Sequence, residues 1–338
     1  MSGESPRPDP VGGSGIDRQI LEIFRSRNGG VVSGEELSRY LSVSRTAVWK
    51  HIKALKELGY RIEAVPSRGY RLVFTPDILT PAELSAGLHV ARIGTSLICV
   101  DETDSTNTLA YRLAEEGAAE GTVVIADAQS RGKGRLGRQW ESPAGVNLYC
   151  SIILRPPIMP VHAPQLTFLS AVAVAEAVER SSGLTPAIKW PNDVLVNGFK
   201  VAGMLNEMSA ETERVEFLVL GIGVNINMQR DQFPPDLRHP ASSLALEAGR
   251  EVGRLAFARA LLEALDSHYA RYLAEGYAPL REAWLGRSAV MGRRVRVSGQ
   301  QGEMRGTVEG IDEIGALLLR IPGGALERVL AGDVTIDE

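Results

Sequence analysis

The sequence predicts an α+β protein with several domains. We expect an N-terminal winged helix-turn-helix, a central α/β domain on a mixed sheet, and a small SH3-like β-barrel at the C-terminus. Three observations support this: the 338 residues exceed one typical domain, the N-terminal helical stretches are basic whereas the remainder is acidic, and the last fifty residues hold only short strands with glycine turns.

The domain boundaries follow from changes in composition. Residues 1–15 are rich in Gly, Pro and Ser, which is typical of a flexible tail. We expect the winged helix at 16–75, a linker beginning with Thr75-Pro76-Asp77, the α/β domain at 80–286 and the barrel at 287–338.

Overall composition is that of an ordinary globular protein, with 44% hydrophobic and 23% charged residues. No apolar run reaches the roughly 18 residues of a membrane span, and the N-terminus has no apolar signal-peptide core. Cys99 and Cys150 both lie in apolar strand-like runs, which favours packing over a disulfide, and five scattered histidines have no metal-ligand spacing. We therefore expect a cytoplasmic protein that does not contact membranes and has no side-chain metal site.

Charge is distributed unevenly along the chain. The net charge is −4, but residues 16–75 contain eleven Lys/Arg and six Asp/Glu, a balance of +5, so the rest carries −9. A charge difference of this kind between domains indicates that the domains have different tasks.

The basic segment has the pattern of two helices joined by a tight turn. Ser33 and Glu36 form a capping-box signature, and Ser44 precedes a helix that ends at Gly59 and has an apolar stripe on one face. Alternating residues at 60–65 and 69–73 predict a hairpin, which is the wing of a winged helix.

This module predicts DNA binding. The residues placed where a recognition helix and wing meet DNA are Ser44, Arg45, Thr46, Lys50 and Arg68. The alternative is a winged helix used only for protein contacts. Because such modules usually bind two half-sites as dimers, we also expect a homodimer.

A glycine- and cation-rich run at 129–140 dominates the central segment. Three glycines alternate with Lys133, Arg135 and Arg138 directly after a β-branched strand at 122–126, and Trp140 ends the run. Glycine lets backbone N–H groups approach an anion closely, and the cations supply fixed positive charge. The pattern suits a small anionic ligand, and the alternatives are a disordered RNA-binding segment or a solvated loop. It matches neither a Walker A motif nor a dinucleotide fingerprint.

Other polar clusters follow strand-like runs. Ser105-Thr106-Asn107 comes between a strand at 98–100 and a helix from Thr108, where the side chains can cap the helix or bind a polar ligand. Lys189-Trp190-Pro191-Asn192-Asp193 lies between strands, where each polar side chain needs a partner. The other predicted elements are strands at 147–154, 200–207 and 217–227 and helices at 166–179, 255–273 and 277–284.

Together these motifs carry a resemblance. Ser105-Thr106-Asn107, Gln129 with Gly132 to Arg138, Lys189 to Asp193, Lys200-Val201-Ala202-Gly203 and Gly221 to Asn227 occur in the order seen in biotin–protein ligases. With the winged helix in front, the chain is similar over residues 16–338 to the bifunctional biotin ligase and biotin operon repressor family.

The resemblance implies a class II synthetase-like catalytic domain that joins biotin and ATP, with Mg²⁺, to form biotinyl-5′-AMP. The biotinyl group then passes to one lysine of a biotin carboxyl carrier protein. It also implies that the adenylate is a corepressor that favours a homodimer on operator DNA. The alternatives are a biotin-sensing repressor without catalysis and a lipoate-type ligase.

The resemblance also implies roles for individual residues. Lys189 and Arg135 would be catalytic, facing the biotin carboxylate and α-phosphate, and Trp140 would pack near the adenine. The remaining expected biotin or adenylate contacts are Ser105, Thr106, Asn107, Gln129, Lys133, Gly134, Gly203 and Asn225. Two positions depart from the commoner loop, where Arg usually stands in place of Lys133 and often in place of Leu136; lysine keeps the charge but loses the bidentate fork.

The C-terminal strands show no converging polar cluster, which favours a packing or carrier-contact module. Arg293, Arg294 and Arg296 are candidates for contact with the acceptor protein or ATP, and the alternative is a solvated strand face.

Overall fold

The computed structural model describes residues 15–235, 237, 240–299 and 302–337. The chain divides into two compact units, Met1–Leu88 and His89–Glu338. The expected flexible tail lies almost entirely outside the described residues, and Gly15, its last residue, begins the first helix.

The first unit is a small helical domain with one hairpin. Its elements are α1 (Gly15–Ser26), α2 (Gly34–Leu41), α3 (Arg45–Glu57), β1 (Arg61–Val65), β2 (Gly69–Phe74) and α4 (Pro81–Ser85).

Local capping defines the two central helices of this unit. The Ser33 hydroxyl accepts from the Glu36 backbone N–H at 3.0 Å, and the Ser44 hydroxyl accepts from that of Ala47 at 3.1 Å. The Glu36 carboxylate accepts a hydrogen bond from Arg27. These caps fix where α2 and α3 begin, so the predicted helix-turn-helix is confirmed.

The core of the first unit extends beyond Thr75. Ala82 of α4 packs with Ile20, Ile52 and other buried residues of the helices. Glu83, with 1% of its surface exposed, accepts hydrogen bonds from Arg25 and the Tyr60 hydroxyl. A buried carboxylate needs such partners, which explains why α4 is part of this unit.

The second unit contains two sheets. Its elements are β3 (Ser96–Thr103), α5 (Thr106–Glu115), β4 (Thr122–Gln129), β5 (Leu148–Leu154), α6 (Pro164–Ser182), β6 (Pro186–Lys189), β7 (Asp193–Val196), β8 (Phe199–Ala210), β9 (Val215–Val224), α7 (Leu244–Ala248), α8 (Arg254–Glu275), α9 (Ala278–Leu285), β10 (Arg294–Gly299), β11 (Gly302–Ile311), β12 (Leu317–Arg320), β13 (Leu326–Val329) and β14 (Asp333–Ile336).

The larger sheet has seven strands in the order β3-β4-β5-β9-β8-β7-β6. β3 and β4 are parallel because α5 crosses between them, and the other neighbouring pairs are antiparallel. Every residue of β5 is buried, and α6 packs on β6 and β8 and against α8. The predicted mixed sheet is therefore confirmed.

The smaller sheet is antiparallel, with the order β13-β12-β11-β10-β14. It is joined to the larger sheet by specific contacts: Trp190 Nε1 donates to Gly315 O at 3.0 Å, and Gln165 Nε2 donates to Glu313 O at 2.6 Å. A Cβ added at Gly315 would lie 2.3 Å from the Phe168 ring, so only glycine permits this approach. The C-terminal strands are thus part of the same compact unit as the central domain.

Within the described chain, one stretch, Pro160–Ser182, is long and apolar enough to cross a membrane by length and composition. Of its most apolar window, 72% is buried inside the protein. Core packing against α8 and the sheet accounts for this apolar character.

Candidate functional site

A cavity of about 640 Å³ lies among the ends of several strands of the larger sheet. It is lined by the junction of β3 and α5, the loop after β4, the turn between β6 and β7, and strands β8 and β9. Every residue for which the sequence predicts a ligand contact lines it: Ser105, Thr106, Asn107, Gln129, Lys133, Gly134, Arg135, Trp140, Lys189, Gly203 and Asn225. The structure therefore brings together groups that lie far apart in the chain.

One wall of the cavity begins where β3 ends. α5 starts at Thr106, two residues earlier than expected, and Ser105 occupies the N-cap position without a side-chain capping hydrogen bond. Ser105 is 2% exposed. Helix capping therefore does not explain this hydroxyl, which faces the cavity instead.

The polar groups of this wall hold one another in place. Gln129 Oε1 accepts from the Thr106 backbone N–H at 2.8 Å, and Gln129 Nε2 donates to the Ser142 hydroxyl at 2.9 Å. The Ser151 hydroxyl donates to Asn107 Oδ1 at 2.6 Å, and Asn107 Nδ2 donates to Leu205 O at 3.1 Å.

This wall is also close-packed. A Cβ at Gly221 would lie 2.0 Å from Asn107 Oδ1, so β9 can pass the amide only with glycine there. Neutral donors and acceptors held this firmly suit a neutral polar ligand head.

The glycine- and cation-rich run forms an ordered hairpin beside the cavity. The Gly134 N–H donates to Arg138 O at 2.7 Å, and the Trp140 N–H donates to Gly132 O at 2.8 Å. Its tip is Leu136, which has φ +59° and is 69% exposed. Leu136, one of the two positions noted in the sequence as departures from the commoner loop, is thus largely exposed to solvent.

Cations of this hairpin bind partners on three other segments: β8, the turn between β6 and β7, and β14. Lys133 Nζ lies 3.1 Å from Glu207 Oε1 of β8, and Arg135 Nη1 donates to Asn192 Oδ1 at 3.1 Å. Arg138 forms an ion pair with Asp333 of the C-terminal sheet. Burial lowers the pKa of the Arg135 guanidinium, and the nearby Asp333 and Asp193 carboxylates oppose that shift; the group stays charged at neutral pH.

Two lysines flank the Asp193 carboxylate. Lys200 Nζ lies 2.6 Å from Asp193 Oδ1, and Lys189 Nζ lies 3.9 Å from Asp193 Oδ2. Asn192 Nδ2 donates to Met204 O at 2.7 Å. Each polar side chain of the Lys189–Asp193 run therefore has the partner that its position requires.

Lys200 is a cavity residue that the sequence analysis leaves without a role. Its ammonium lies 5.3 Å from the centre of the Trp140 ring. The sequence could have indicated Lys200 in one way. Asp193 is buried and needs a nearby cation, and Lys200 lies in the strand that begins at Phe199.

The Trp140 ring packs closely against two glycines. A Cβ added at Gly223 would lie 2.7 Å from the ring, and one added at Gly203 would lie 3.0 Å from it. This explains why both strands carry glycine here. Trp140 Nε1 is buried and has no hydrogen-bond partner in the described part of the chain. An aromatic face beside cations forms a second region of the cavity, distinct from the neutral polar wall.

Other lining residues went unrecognised in the sequence. Asn225, which was predicted, donates through Nδ2 to Ser242 O at 3.1 Å. Phe233 and Asp333 also line the cavity but were not predicted. Asp333 is 195 residues from its partner Arg138 in the chain, a separation over which no sequence motif extends. Arg293, Arg294 and Arg296 are not among the residues that line this cavity.

Within the described ranges, no cluster of three His, Cys, Asp or Glu side chains can hold a metal ion. The carboxylates of Asp193 and Asp333 at the cavity are already paired with cations. A divalent cation would therefore have to obtain most of its ligands from a bound molecule and from water.

All the residues predicted to contact DNA are exposed on the first unit. They are Ser44, Arg45, Thr46, Lys50 and Arg68. Arg45 lies 2.6 Å from the Glu35 carboxylate of α2. Trp49, on the same helix and 54% exposed, was not singled out from the sequence. This arrangement is a cationic helix start beside a wing.

Family models match three consecutive parts of the chain. An HTH domain matches residues 17–71, the biotin/lipoate A/B protein ligase family matches 99–225, and the biotin protein ligase C-terminal domain matches 290–336.

Curated relatives align over almost the whole chain. The bifunctional ligase/repressor BirA of Bacillus subtilis (strain 168) is 38% identical over 323 residues, which is 96% of this chain and 99% of the relative. That of Escherichia coli (strain K12) is 31% identical, over 91% of this chain and 94% of the relative. Among solved structures, a biotin protein ligase from Aquifex aeolicus in complex with biotin and ATP aligns with TM-score 0.62 and 28% identity, over 72% of this chain and 99% of that one.

Proposed function

Because the chain belongs to the family of bifunctional biotin ligase/repressors, we propose that it converts biotin and ATP to biotinyl-5′-AMP and then biotinylates a carrier-protein lysine. It is a biotin ligase with an N-terminal helix-turn-helix. The observation that carries the proposal is that one cavity combines a neutral polar wall with cations beside an aromatic side chain.

The two regions of the cavity suit the two ends of the proposed intermediate. The wall formed by Ser105, Thr106, Asn107 and Gln129 offers hydrogen bonds to the neutral ureido head of biotin. Trp140 offers a flat surface to the adenine. The cations would then lie between them, where the biotin carboxylate and the α-phosphate react.

Charge neutralisation is the main catalytic need. A biotin carboxylate oxygen attacks the α-phosphorus and pyrophosphate leaves, so two anions must approach each other. Arg135 and Lys189, our proposed catalytic residues, and the newly identified Lys200 supply positive charge there, and such fixed charges act on the transition state without reorganising. In the second step the carrier lysine amine attacks the biotinyl carbonyl, AMP leaves, and the amine loses a proton.

Mg²⁺ would enter with ATP. Since Asp193 and Asp333 are paired with cations, the ion would take its oxygen ligands mainly from the phosphates and water. It would neutralise charge on the phosphates, while the residues of this chain orient the carboxylate and hold the adenylate away from water.

The repressor half of the proposal rests on the first unit. We propose that the adenylate acts as corepressor, that a homodimer forms, and that two copies of α3 and its wing contact operator DNA through Ser44, Arg45, Thr46, Lys50 and Arg68. The exposure of all five side chains supports this. The proposed partners are a biotin carboxyl carrier protein and operator DNA, and the proposed location is the cytoplasm.

The test is transfer of biotin to a carrier-domain lysine with ATP and Mg²⁺, using the wild type and the Lys189→Ala and Lys200→Ala variants. We expect transfer by the wild type and a loss of adenylation rate of roughly 10²-fold or more in each variant, because each removes a fixed charge near the reacting anions. Arg271→Ala, which removes an exposed cation from α8, is the control and should match the wild type.

Three other results would contradict parts of the proposal. Tight biotin binding without transfer would make the protein a non-catalytic sensor. Transfer of lipoate in place of biotin would make it a lipoate-type ligase. Normal pyrophosphate release by Lys189→Ala would remove that residue from the catalytic set and leave Lys200 and Arg135.

A further inference from the structure

The hairpin at residues 131–140 is attached at two places, to β8 and to the C-terminal sheet. At the first, Lys133 Nζ lies 3.1 Å from Glu207 Oε1 of β8. At the second, Arg138 forms an ion pair with Asp333, and Arg135 Nη1 lies 3.9 Å from Asp333 Oδ1. The second attachment joins the hairpin to the C-terminal sheet.

Asp333 is part of the C-terminal sheet. It is the first residue of β14, which pairs with β10 through Asp333 opposite Ser298 and Val334 opposite Val297. The Asp333 side chain is only 11% exposed. The preceding Gly332 has no room for a side chain, since a Cβ would lie 2.7 Å from Val297 Cγ1, and its carbonyl oxygen lies 3.5 Å from both terminal nitrogens of Arg135.

The hairpin places two guanidinium groups, those of Arg135 and Arg138, beside one carboxylate. Without Asp333, two like charges on a short hairpin would repel each other. The Asp333 side chain is 11% exposed and that of Arg138 is 41% exposed, so the carboxylate is the mostly buried partner. Loss of a cation beside it is costly because it leaves a mostly buried charge less compensated. The carboxylate therefore both holds the hairpin down and fixes the direction of Arg135, whose Nη1 also donates to Asn192.

We propose that Asp333 is a positioning residue for adenylation. From the C-terminal sheet it holds Arg135 and Arg138 so that the hairpin stays closed over the bound adenylate. The inference rests on the proposed ligase function and extends it, because the C-terminal strands would contribute to the reaction through this one carboxylate. Asp333 acts on the intermediate only through the two arginines.

The test compares the full-length wild type with Asp333→Ala, Asp333→Asn, Arg138→Ala and the double variant Arg138→Ala/Asp333→Ala. Two quantities are measured: the rate at which preformed biotinyl-5′-AMP escapes from the enzyme, and kcat and KM for ATP. We expect Asp333→Ala and Arg138→Ala each to accelerate escape roughly ten-fold and to raise the KM for ATP, because each breaks the same charged contact.

The double variant isolates this contact. If Asp333 acts through Arg138, the double variant should lose adenylate little faster than either single variant, whereas independent roles would multiply the two effects. Asp333→Asn keeps an acceptor for the arginine and should fall between wild type and Asp333→Ala. Asp337→Asn, which removes a carboxylate just beyond the end of the same strand, is the control and should behave as the wild type.

Several outcomes would overturn the proposal. Unchanged adenylate retention in Asp333→Ala would show that the hairpin does not depend on the C-terminal sheet. Tighter ATP binding by that variant would mean that the carboxylate competes with the ligand for the arginines. If thermal unfolding shows that Asp333→Ala does not fold, Arg138→Ala tests the same contact. Normal retention of the adenylate by Arg138→Ala would then overturn the proposal. A wild type that forms no adenylate would instead contradict the proposed function itself.

Discussion

At the scale of single residues, Gly221 shows how tightly the polar wall is built. A methyl group there would lie 2.0 Å from Asn107 Oδ1, 2.7 Å from its Cγ and 2.8 Å from its Nδ2, so the whole amide would have to move. That movement would break the hydrogen bond from Ser151 at 2.6 Å and those from Asn107 to Leu205 and Glu207. Glycine is therefore required here by space and not by backbone conformation.

We predict that Gly221→Ala lowers the free energy of unfolding by about 1–3 kcal/mol, which is typical of overpacking. Affinity for biotin should fall more steeply than that for ATP, because the displaced amide belongs to the wall and not to the cationic region. Calorimetric titration with each ligand and thermal unfolding measure the two effects. Gly253→Ala, whose added Cβ would meet only Ala256 Cβ at 3.7 Å, is the matched control. Equal losses for both ligands would argue against separate regions in the cavity.

Sequence patterns were sufficient for some of these residues and insufficient for others. Ser105, Thr106 and Gln129 could be selected because polar side chains at strand ends are unusual and the family motif includes them. The two lysines around Asp193 could not be ranked, since charge type and spacing do not show that Lys200 is the nearer at 2.6 Å. Asp333 was out of reach because an aspartate before an apolar strand has no local feature that distinguishes it from a solvated one.

At the scale of elements, the start of α3 and the wing carry the testable part of the repressor proposal. Lys50 and Arg68 are exposed, and neither is in the unit that contains the ligand cavity. We predict that Lys50→Ala and Arg68→Ala each weaken operator binding and reduce the slope of log affinity against log salt by about one per lost phosphate contact. Carrier biotinylation should be unchanged in both variants.

Binding is best measured with operator DNA over a range of salt concentrations, with and without biotin and ATP. Addition of the two ligands should strengthen binding if the adenylate favours a dimer with two winged helices. Arg18→Ala removes an exposed cation from α1, where it pairs with Glu22, and should leave the salt slope intact. Equal weakening by Arg18→Ala would indicate a general effect of charge rather than contacts from α3 and the wing.

Element boundaries were predicted best where a capping residue is present. Ser33 and Ser44 fixed the starts of α2 and α3 because a hydroxyl can satisfy the first free backbone donors. At α5 the same reasoning gave a start at Thr108 instead of Thr106, since the polar residues there serve the cavity and its network rather than the helix end. The segment 131–140 was expected as a loop but forms a hairpin. Its pairing depends on the close approach of Gly132 to the Trp140 backbone, which a sequence pattern does not show.

At the scale of the whole molecule, local patterns predicted the kinds of domain but not the order of the strands. Alternation and apolar runs predicted a mixed central sheet and a terminal group of short strands. The pairing of β5 with β9, and the contact of Trp190 with Gly315, join segments far apart in sequence and depend on how side chains interlock. The cavity lies where such long-range pairs converge, so its complete lining required the structure.

The division into two compact units leads to a prediction about their independence. The last buried residue in the core cluster of the first unit is Ala82. The second unit begins at His89. The Aquifex aeolicus biotin protein ligase aligns over 72% of this chain and 99% of its own length, and a Paracoccus denitrificans biotin--[acetyl-CoA-carboxylase] ligase is 39% identical over 66% of this chain and 93% of its own length. Nearly the whole length of each of these two ligases thus aligns with only about two thirds to three quarters of this chain.

We predict that a truncated protein of residues 89–338 folds cooperatively and biotinylates a carrier domain at the rate of the full chain. The cavity residues, including Asp333, all lie in this unit, so both the chemistry and the hold on the hairpin should survive truncation. The same protein should have no affinity for operator DNA. Single-turnover transfer and an operator titration measure the two properties side by side. A truncated protein that folds but loses adenylate rapidly would show that residues 1–88 contribute to retention of the intermediate, and the ligase and repressor parts would then be coupled even in the absence of DNA.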